Sequence, residues 1–334
     1  MDYSLVFVGQ LRRQYLISPE GRPFLDVPGG NLLYSAAGAR QWVDSVYLMA
    51  RTGEDYPHDW LKLFQQKGMD PRGIKIFPGT IDLRTFMVYT DSQNFQRSNP
   101  VSHFARLGLP FPKGLLGYQP PRTEQDSRMY TNPDSPKLSD IPADYLVAKA
   151  AHLAPLDLLT HSQFAPAFRH AGVSIVTIDP GASYMNANYL DDLRSLLQGV
   201  TAFLPSEEEI RSLFWGRTND LWEMATILGS FGCEIIVIKR GGRGQYIYER
   251  ATGKKWEIPA YPSRLVDPTG AGDVFCGGFL AGYAATLDPL QAAMQGNISA
   301  SFSIEGSGAF YLLDSMPGLA QARLQSLANL IRQV

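Results

Sequence analysis

Cysteine is nearly absent from this 334-residue chain: Cys233 and Cys276 are far apart and form no CxxC pair. A disulfide scaffold is thereby excluded, and a cysteine metal centre is disfavoured. Charge of one sign is also missing, with 30 Lys plus Arg against 32 Asp plus Glu and a net charge of −2. Nucleic acids and anionic membranes favour a basic excess, so neither is expected as a partner. Long apolar runs are lacking too. The longest uncharged one, Val274 to Leu287, has 14 residues and three glycines, short of the ~20 that span a bilayer. Met1 to Gln10 has no basic segment and an apolar run of only Leu5 to Val8, which does not read as a signal peptide. The five histidines (His58, His103, His152, His161, His170) show no metal-ligand spacing, so solvated or capping roles are expected. The composition reads as a reduced, soluble, cytoplasmic protein.

What is present is ordinary globular material, 45% apolar and 19% charged. At ~150 residues per domain the length suits two domains or one large α/β domain. Tyr3 to Val8 reads as a buried strand ending at Gly9, and Gly29-Gly30-Asn31 opens a small-residue helix. Val43 to Ala50 predicts a strand and Tyr56 to Lys67 a helix. Ile74 to Phe77 and Thr85 to Thr90 predict a strand pair joined by the Pro78-Gly79 turn. Eight prolines fall between Pro100 and Pro142, so residues 92–142 read as an extended loop or insertion, too long for a passive connection. Beyond Tyr145, Leu156 to Thr160, Val173 to Ile178, Val200 to Leu204 and Glu234 to Lys239 read as strands. Helical segments around Phe164–His170, Tyr189–Leu197, Glu207–Phe214 and Asn219–Phe231 alternate with them. That alternation predicts an α/β fold, a doubly wound, mostly parallel sheet with helices on both faces. Ligands of such sheets sit at the carboxyl ends of the strands.

The segment richest in chemistry is Asp267-Pro268-Thr269-Gly270-Ala271-Gly272-Asp273, followed by a helix to about Ala285. Amides at a helix start lack partners, and the helix dipole favours an anion there. Small side chains let phosphate oxygens approach that backbone, and Asp273 in the first turn is placed to take a proton from an attacking hydroxyl. Positioning and charge stabilisation are what phosphoryl transfer needs.

The full segment through Leu280 resembles the C-terminal signature of the ribokinase-like (PfkB) carbohydrate kinases. Further matches follow in order: Gly29-Gly30, Arg51-Thr52-Gly53-Glu54-Asp55 with Gly68-Met69-Asp70, Leu204 to Glu209, Lys239 to Gly244, then Asn297 and Gly306 to Ala309. The resemblance spans nearly the whole chain, residues 1–334, and implies one kinase domain. It also implies a β-sheet lid from about 10–28 and 72–91, and a homodimer through that lid. The implied reaction moves the γ-phosphate of MgATP to a hydroxyl of a sugar or sugar-like molecule. Asp273 would be the base, and the Gly270, Ala271 and Gly272 amides an anion hole. Lys239, Gly241, Gly244, Asn297 and Gly308 would line the nucleotide site. Gln14, Gly29, Gly30, Asn31 and Tyr34 would meet the acceptor, and Glu209 would act on Mg2+ through water. Asp267, with the backbone near Thr269 and Gly308, occupies the place where many relatives hold K+.

Three positions depart from the family pattern. Gln14 stands where relatives carry an Asp that grips two sugar hydroxyls, Tyr34 replaces an Asn, and Ser206 replaces the Asn before the glutamate cluster. Asp26 is a substitute candidate for the missing Asp, and Arg84 a candidate for binding a phosphorylated acceptor, although an exposed strand arginine is favoured. Phe214, Trp215 and Trp222 read as helix-face packing. Because Asp273 and its glycines are intact, the departures predict altered substrate choice with catalysis retained. The rival readings are a nucleoside kinase and a catalytically weak member acting as a binding or regulatory protein.

Overall fold

A computed structural model describes residues 4–91, 94–120 and 126–333. Tyr3, first residue of the expected opening strand, lies outside them. The chain runs from β1 (Leu5–Val8) through β2 (Arg12–Ile17) and β3 (Pro23–Gly29) to α1 (Asn31–Arg40). Next come β4 (Val46–Gly53), α2 (His58–Gln66), β5 (Met69–Phe77), β6 (Arg84–Tyr89), β7 (Phe95–Gln96) and α3 (Pro100–Arg106). The alternating part holds β8 (Ala150–Leu153), α4 (Leu158–His170), β9 (Ile175–Ile178), α5 (Leu190–Leu196), β10 (Ala202–Phe203), α6 (Glu207–Leu213) and α7 (Leu221–Ser230). The chain closes with β11 (Ile235–Lys239), β12 (Gln245–Glu249), β13 (Lys255–Ile258), α8 (Ala271–Thr286), α9 (Pro289–Ser303), α10 (Leu319–Ala328) and β14 (Arg332–Gln333).

Ten strands form one sheet in the order β14-β13-β12-β11-β10-β9-β8-β1-β4-β5. From β11 to β5 every pairing is parallel, and β12 to β14 extend the sheet antiparallel. Apolar clusters lie on both faces, one around Leu48 and Phe279, the other around Phe164 and Phe203. Such two-sided burial explains why the central strands are continuous apolar runs rather than alternating ones. The expected doubly wound α/β fold is present. No helix among the described residues is long and apolar enough to cross a membrane.

Two local expectations are corrected. The strand read at Leu156–Thr160 is β8, ending at Leu153. Asp157 accepts the Thr160 amide at 2.8 Å and starts α4 as its N-cap, a cue that outweighs the apolar residues beyond it. Residues 74–77 and 85–90 do not pair with each other. β5 pairs with β4 in the large sheet, whereas β6 joins a separate four-stranded sheet ordered β3-β2-β6-β7.

The small sheet has two distinct faces. Gln14 lies opposite Thr85 and Leu16 opposite Met87, so Arg12, Gln14, Thr85 and Tyr89 share one face. The other presents Tyr15, Ile17, Phe86 and Val88, packed beneath Phe104, Leu115 and Tyr118 of the Pro-rich region.

Helix α8 is set against α1 at very short range. A Cβ on Gly277 would fall 1.7 Å from the Ser35 carbonyl oxygen. We expect Gly277→Ala to cost about 1–3 kcal/mol or more through overpacking, read as a lower urea midpoint with an unchanged slope.

Candidate active site

The C-terminal ends of the parallel strands gather the chemistry-bearing side chains. Gly270, with φ of 73°, turns the chain into α8. The Ala271 amide is committed to the Pro268 carbonyl at 3.2 Å. Among the described residues the amides of Gly270, Gly272 and Asp273 have no acceptor, so of the three expected donors only Ala271 is taken. Two of these three donors, those of Gly272 and Asp273, belong to the first turn of α8, as does the half-buried Asp273 carboxylate.

Beneath this helix start lies a buried ion pair. Lys239, at the end of β11, donates to both Asp179 carboxylate oxygens at 2.7 Å and approaches Cys276 Sγ at 3.4 Å. Its Nζ would stand 3.6 Å from a Cβ on Gly272, so the ammonium supports the amide pair from below. Burial pulls the lysine pKa down, but Asp179 outweighs it and holds the value up. Asp179 is pushed up to about 6, first by burial, with Lys239 opposing. Asp273 is pushed up to about 7 by burial and then by Asp179, with Lys239 opposing and Glu209 adding. A carboxylate with a pKa near neutrality suits proton abstraction at ordinary pH. Asp179 and Cys276 were not singled out from sequence. For Asp179 the available signal was its place directly after β9, at the carboxyl edge.

Glu209 sits in a capping box on α6. Its Oε2 accepts the Ser206 amide and hydroxyl at 2.7 and 2.8 Å, and Ser206 Oγ accepts the Glu209 amide at 3.2 Å. Ser206 thus orients the glutamate directly. No group of three or more His, Cys, Asp or Glu among the described residues could hold a metal. A divalent ion here would rest on a single carboxylate and on phosphate oxygens, the usual manner of Mg2+.

The acceptor-side residues converge on the same helix start. The Tyr34 hydroxyl donates to Gln14 Oε1 at 3.1 Å, and the buried Tyr34 ring occupies the space that a Cβ on Gly270 would need, 2.2 Å away. Tyr34 therefore joins the small sheet to the amide pair. The Tyr89 hydroxyl meets Thr269 Oγ1 at 3.0 Å across the same gap. Gly29 and Gly30 lie beside Gln14 and the Gln10–Arg12 backbone. Asn31 accepts the Gln10 amide at 2.8 Å and donates to the Pro155 carbonyl at 2.7 Å, so it ties the exits of β1 and β8. Asp26 stays outside this group, forking onto Arg13 at 2.7–2.8 Å. Arg84 is spent on Asp82 and on the carbonyls of Gly114 and Leu116.

On the expected nucleotide side, Arg240 and Arg243 bind Glu207 at 3.2 and 2.8 Å, which fastens the loop of Gly241 and Gly244 to α6. Asn297 spends its side chain on protein groups: it accepts the Tyr261 amide at 2.9 Å and donates to Gln245 and the Pro259 carbonyl. It thereby shapes the 259–261 loop. Gly308 follows α9 with φ of 91°, and the Ile304 carbonyl before it accepts the amides of Val266 and Asp267. Asp267 takes the Thr269 amide on Oδ1 at 2.9 Å, while its buried Oδ2 has no partner among the described residues.

Some aromatic and histidine readings change. His152 and His161 are buried, not solvated, and bonded to Thr177, and to Tyr184 and the Ala154 carbonyl. Burial pushes them down to about 3 and about 4, so both are neutral packing groups. Trp222 stacks on Tyr246 at 4.3 Å and Phe214 is buried, but Trp215, beyond the end of α6, is 80% exposed.

The sequence profile of the pfkB family carbohydrate kinases matches residues 126–315. A cytidine kinase of Thermococcus kodakarensis is 30% identical over 285 residues, 84% of this chain and 88% of that protein. The chain belongs to the pfkB family of carbohydrate kinases. Solved kinases share the fold across nearly the whole length. A ribokinase II of E. coli with ATP and Mg2+ superposes with a TM-score of 0.72 at 17% identity, covering 98% of this chain and 100% of that one. A Burkholderia thailandensis nucleoside kinase with inosine gives 0.66 at 16% identity, covering 98% and 99%. The kinase is thus an ATP-dependent phosphotransferase acting on a sugar-like small molecule, and the matched residues include the amide pair and Asp273.

Proposed function

We propose that this kinase moves the γ-phosphate of MgATP to a hydroxyl of a sugar or nucleoside, with Asp273 as the base. The observation that carries this reading is the pairing of Asp273 with two unpartnered amides at the start of α8, above the buried Lys239–Asp179 pair. The acceptor hydroxyl would lie between Asp273 and those amides and give its proton to the carboxylate. As charge develops on the transferring group, the Gly270, Gly272 and Asp273 amides would stabilise it, with Ala271 held in the turn by its bond to the Pro268 carbonyl. Gln14, Gly29, Gly30, Asn31 and Tyr34 would frame the acceptor. Gly241, Gly244, Gly308 and the loop set by Asn297 would border the nucleotide, with Lys239 acting from beneath. Mg2+, held by nucleotide phosphates and oriented through Glu209, would supply charge neutralisation.

The small sheet would act as the lid, excluding water from the reacting phosphoryl group. Its outer face is already covered by this chain's own Phe104, Leu115 and Tyr118. A homodimer through that face would displace this cover, so we assign closure to the single chain. Two buried free cysteines suit a reducing cytoplasm. Turnover measured as ADP release with cytidine, inosine, ribose and fructose tests the reading. Absence of acceptor-stimulated release with all of them would sink it. Cytidine leads the panel because of the relative that aligns over most of the chain.

Asp267 fits a monovalent cation, since its buried Oδ2 has no partner among the described residues and a buried carboxylate oxygen without one is costly. We expect turnover to fall several-fold when K+ is replaced by tetramethylammonium. Asp267→Asn should remove that K+ response, as followed by ADP release across a KCl titration.

A further inference from the structure

Two hydroxyl contacts tie the small sheet to the turn that opens α8. Tyr89, the last residue of β6, lies on the face shared by Gln14 and Thr85. Its hydroxyl stands 3.0 Å from Thr269 Oγ1 and so joins residues 180 apart. Among the described residues this is the one hydrogen bond between the small sheet and residues 266–273. The second tie is indirect: Gln14 accepts the Tyr34 hydroxyl, and the Tyr34 ring packs against Gly270. Thr85, opposite Gln14, precedes Tyr89 by four residues, so the ties leave the small sheet roughly 13 Å apart. They nonetheless land on consecutive residues, Thr269 and Gly270.

The same turn is held from the large domain. The Ile304 carbonyl accepts the amides of Val266 and Asp267, and Asp267 Oδ1 accepts the Thr269 amide at 2.9 Å. The buried Thr269 is therefore gripped on its amide by the large domain and on its hydroxyl by the small sheet. It directly precedes Gly270, the first amide without an acceptor among the described residues. Packing alone does not call for a tyrosine at position 89. Its ring meets Phe95 edge-on at 5.8 Å, a contact that phenylalanine makes equally well, so the hydroxyl is what adds the reach to Thr269. Burial pushes that hydroxyl up to about 12, and it stays protonated at ordinary pH. A neutral hydroxyl pair is a modest bond, which suits a sheet that must both seat and release.

We propose that Tyr89 is a positioning residue for phosphoryl transfer, its bond to Thr269 aligning the turn of free amides when the small sheet is seated over the site. This rests on the kinase reading above, with the small sheet as its lid. Tyr89→Phe should lower kcat of the full chain with MgATP and cytidine about 10-fold, the scale of a small misplacement at a reacting centre, and leave KM for ATP unchanged. Thr269→Val should cause the same loss, and the double variant should lose no more than either single one, because both remove one bond. Thr269→Ser keeps the hydroxyl and should recover most of the rate that Thr269→Val loses. A readout free of turnover is amide exchange by mass spectrometry. The amides of Thr269, Ala271 and Val274 bond within the turn at 2.9, 3.2 and 2.9 Å, and in Tyr89→Phe they should exchange about 5-fold faster. Wild-type kcat in Tyr89→Phe overturns the proposal, as do losses that multiply in the double variant or a Thr269→Ser variant as slow as Thr269→Val. No turnover by the wild-type chain with cytidine, inosine, ribose or fructose overturns the kinase reading instead. In that case faster exchange in Tyr89→Phe still supports the hold of Tyr89 on the turn, and unchanged exchange overturns it.

Discussion

Asp273→Asn should lower kcat by about 10²–10⁴-fold, the usual worth of a positioned general base, while KM for ATP stays close to wild type. The substitution keeps shape and removes only the proton-accepting charge. The wild-type rate should carry the same signature. Because burial and Asp179 push Asp273 up to about 7, kcat/KM should fall as pH drops through that value and level off above it. Stability runs in the opposite sense. A folded-state pKa above the ordinary carboxylate value means that folding favours the protonated form, so this group's stabilising contribution is lost as pH rises from about 4 through 7. Asp273→Asn cannot ionise there and should melt at or above the wild-type temperature at pH 8. An inactive variant that melts lower would indicate damage to the fold rather than loss of a base.

Legibility in the sequence follows how local each feature is. The proposed anion-binding turn lies within seven consecutive residues, Asp267 to Asp273, and every physical requirement for it is written there: small side chains, a helix start and a carboxylate in its first turn. The alternation of strands and helices is equally local, so the α/β architecture could be read. The fate of the Pro78-Gly79 turn could not. A turn between two apolar runs normally signals a hairpin, but here it carries the chain from the edge of the large sheet into the small one. Tyr34 was legible as a departure, but not its packing against Gly270 or its bond to Gln14. The Arg12–Asp134 contact joins residues 122 apart through a stretch with no periodic pattern. Lys239 and Asp179 are 60 apart, and each alone looks like a polar residue at a strand end. Their pairing changes the part Lys239 plays. A free lysine would reach for phosphate, whereas this one is held by Asp179 under the backbone proposed to do so.

Lys239→Met should therefore reduce kcat by about 10²-fold, on the scale of losing one electrostatic stabiliser of the transition state. It should also destabilise the protein by about 3–5 kcal/mol, because Asp179 is left buried without a counter-charge. At 13% and 4% side-chain exposure, water can replace little of what is lost. Asp179→Asn strands the ammonium instead, lowering stability and releasing Lys239 from its place under Gly272. The double variant Asp179→Asn/Lys239→Met separates the two roles. With both charges gone, neither partner is stranded, and urea unfolding should recover most of the lost stability. The rate should not recover, because the positive charge beneath the amide pair is absent in both. Recovery of kcat together with stability in the double variant would reduce the pair to a structural one. Persistent loss of kcat in a restored fold would give Lys239 an electrostatic part in phosphoryl transfer, with Asp179 as the residue that positions it.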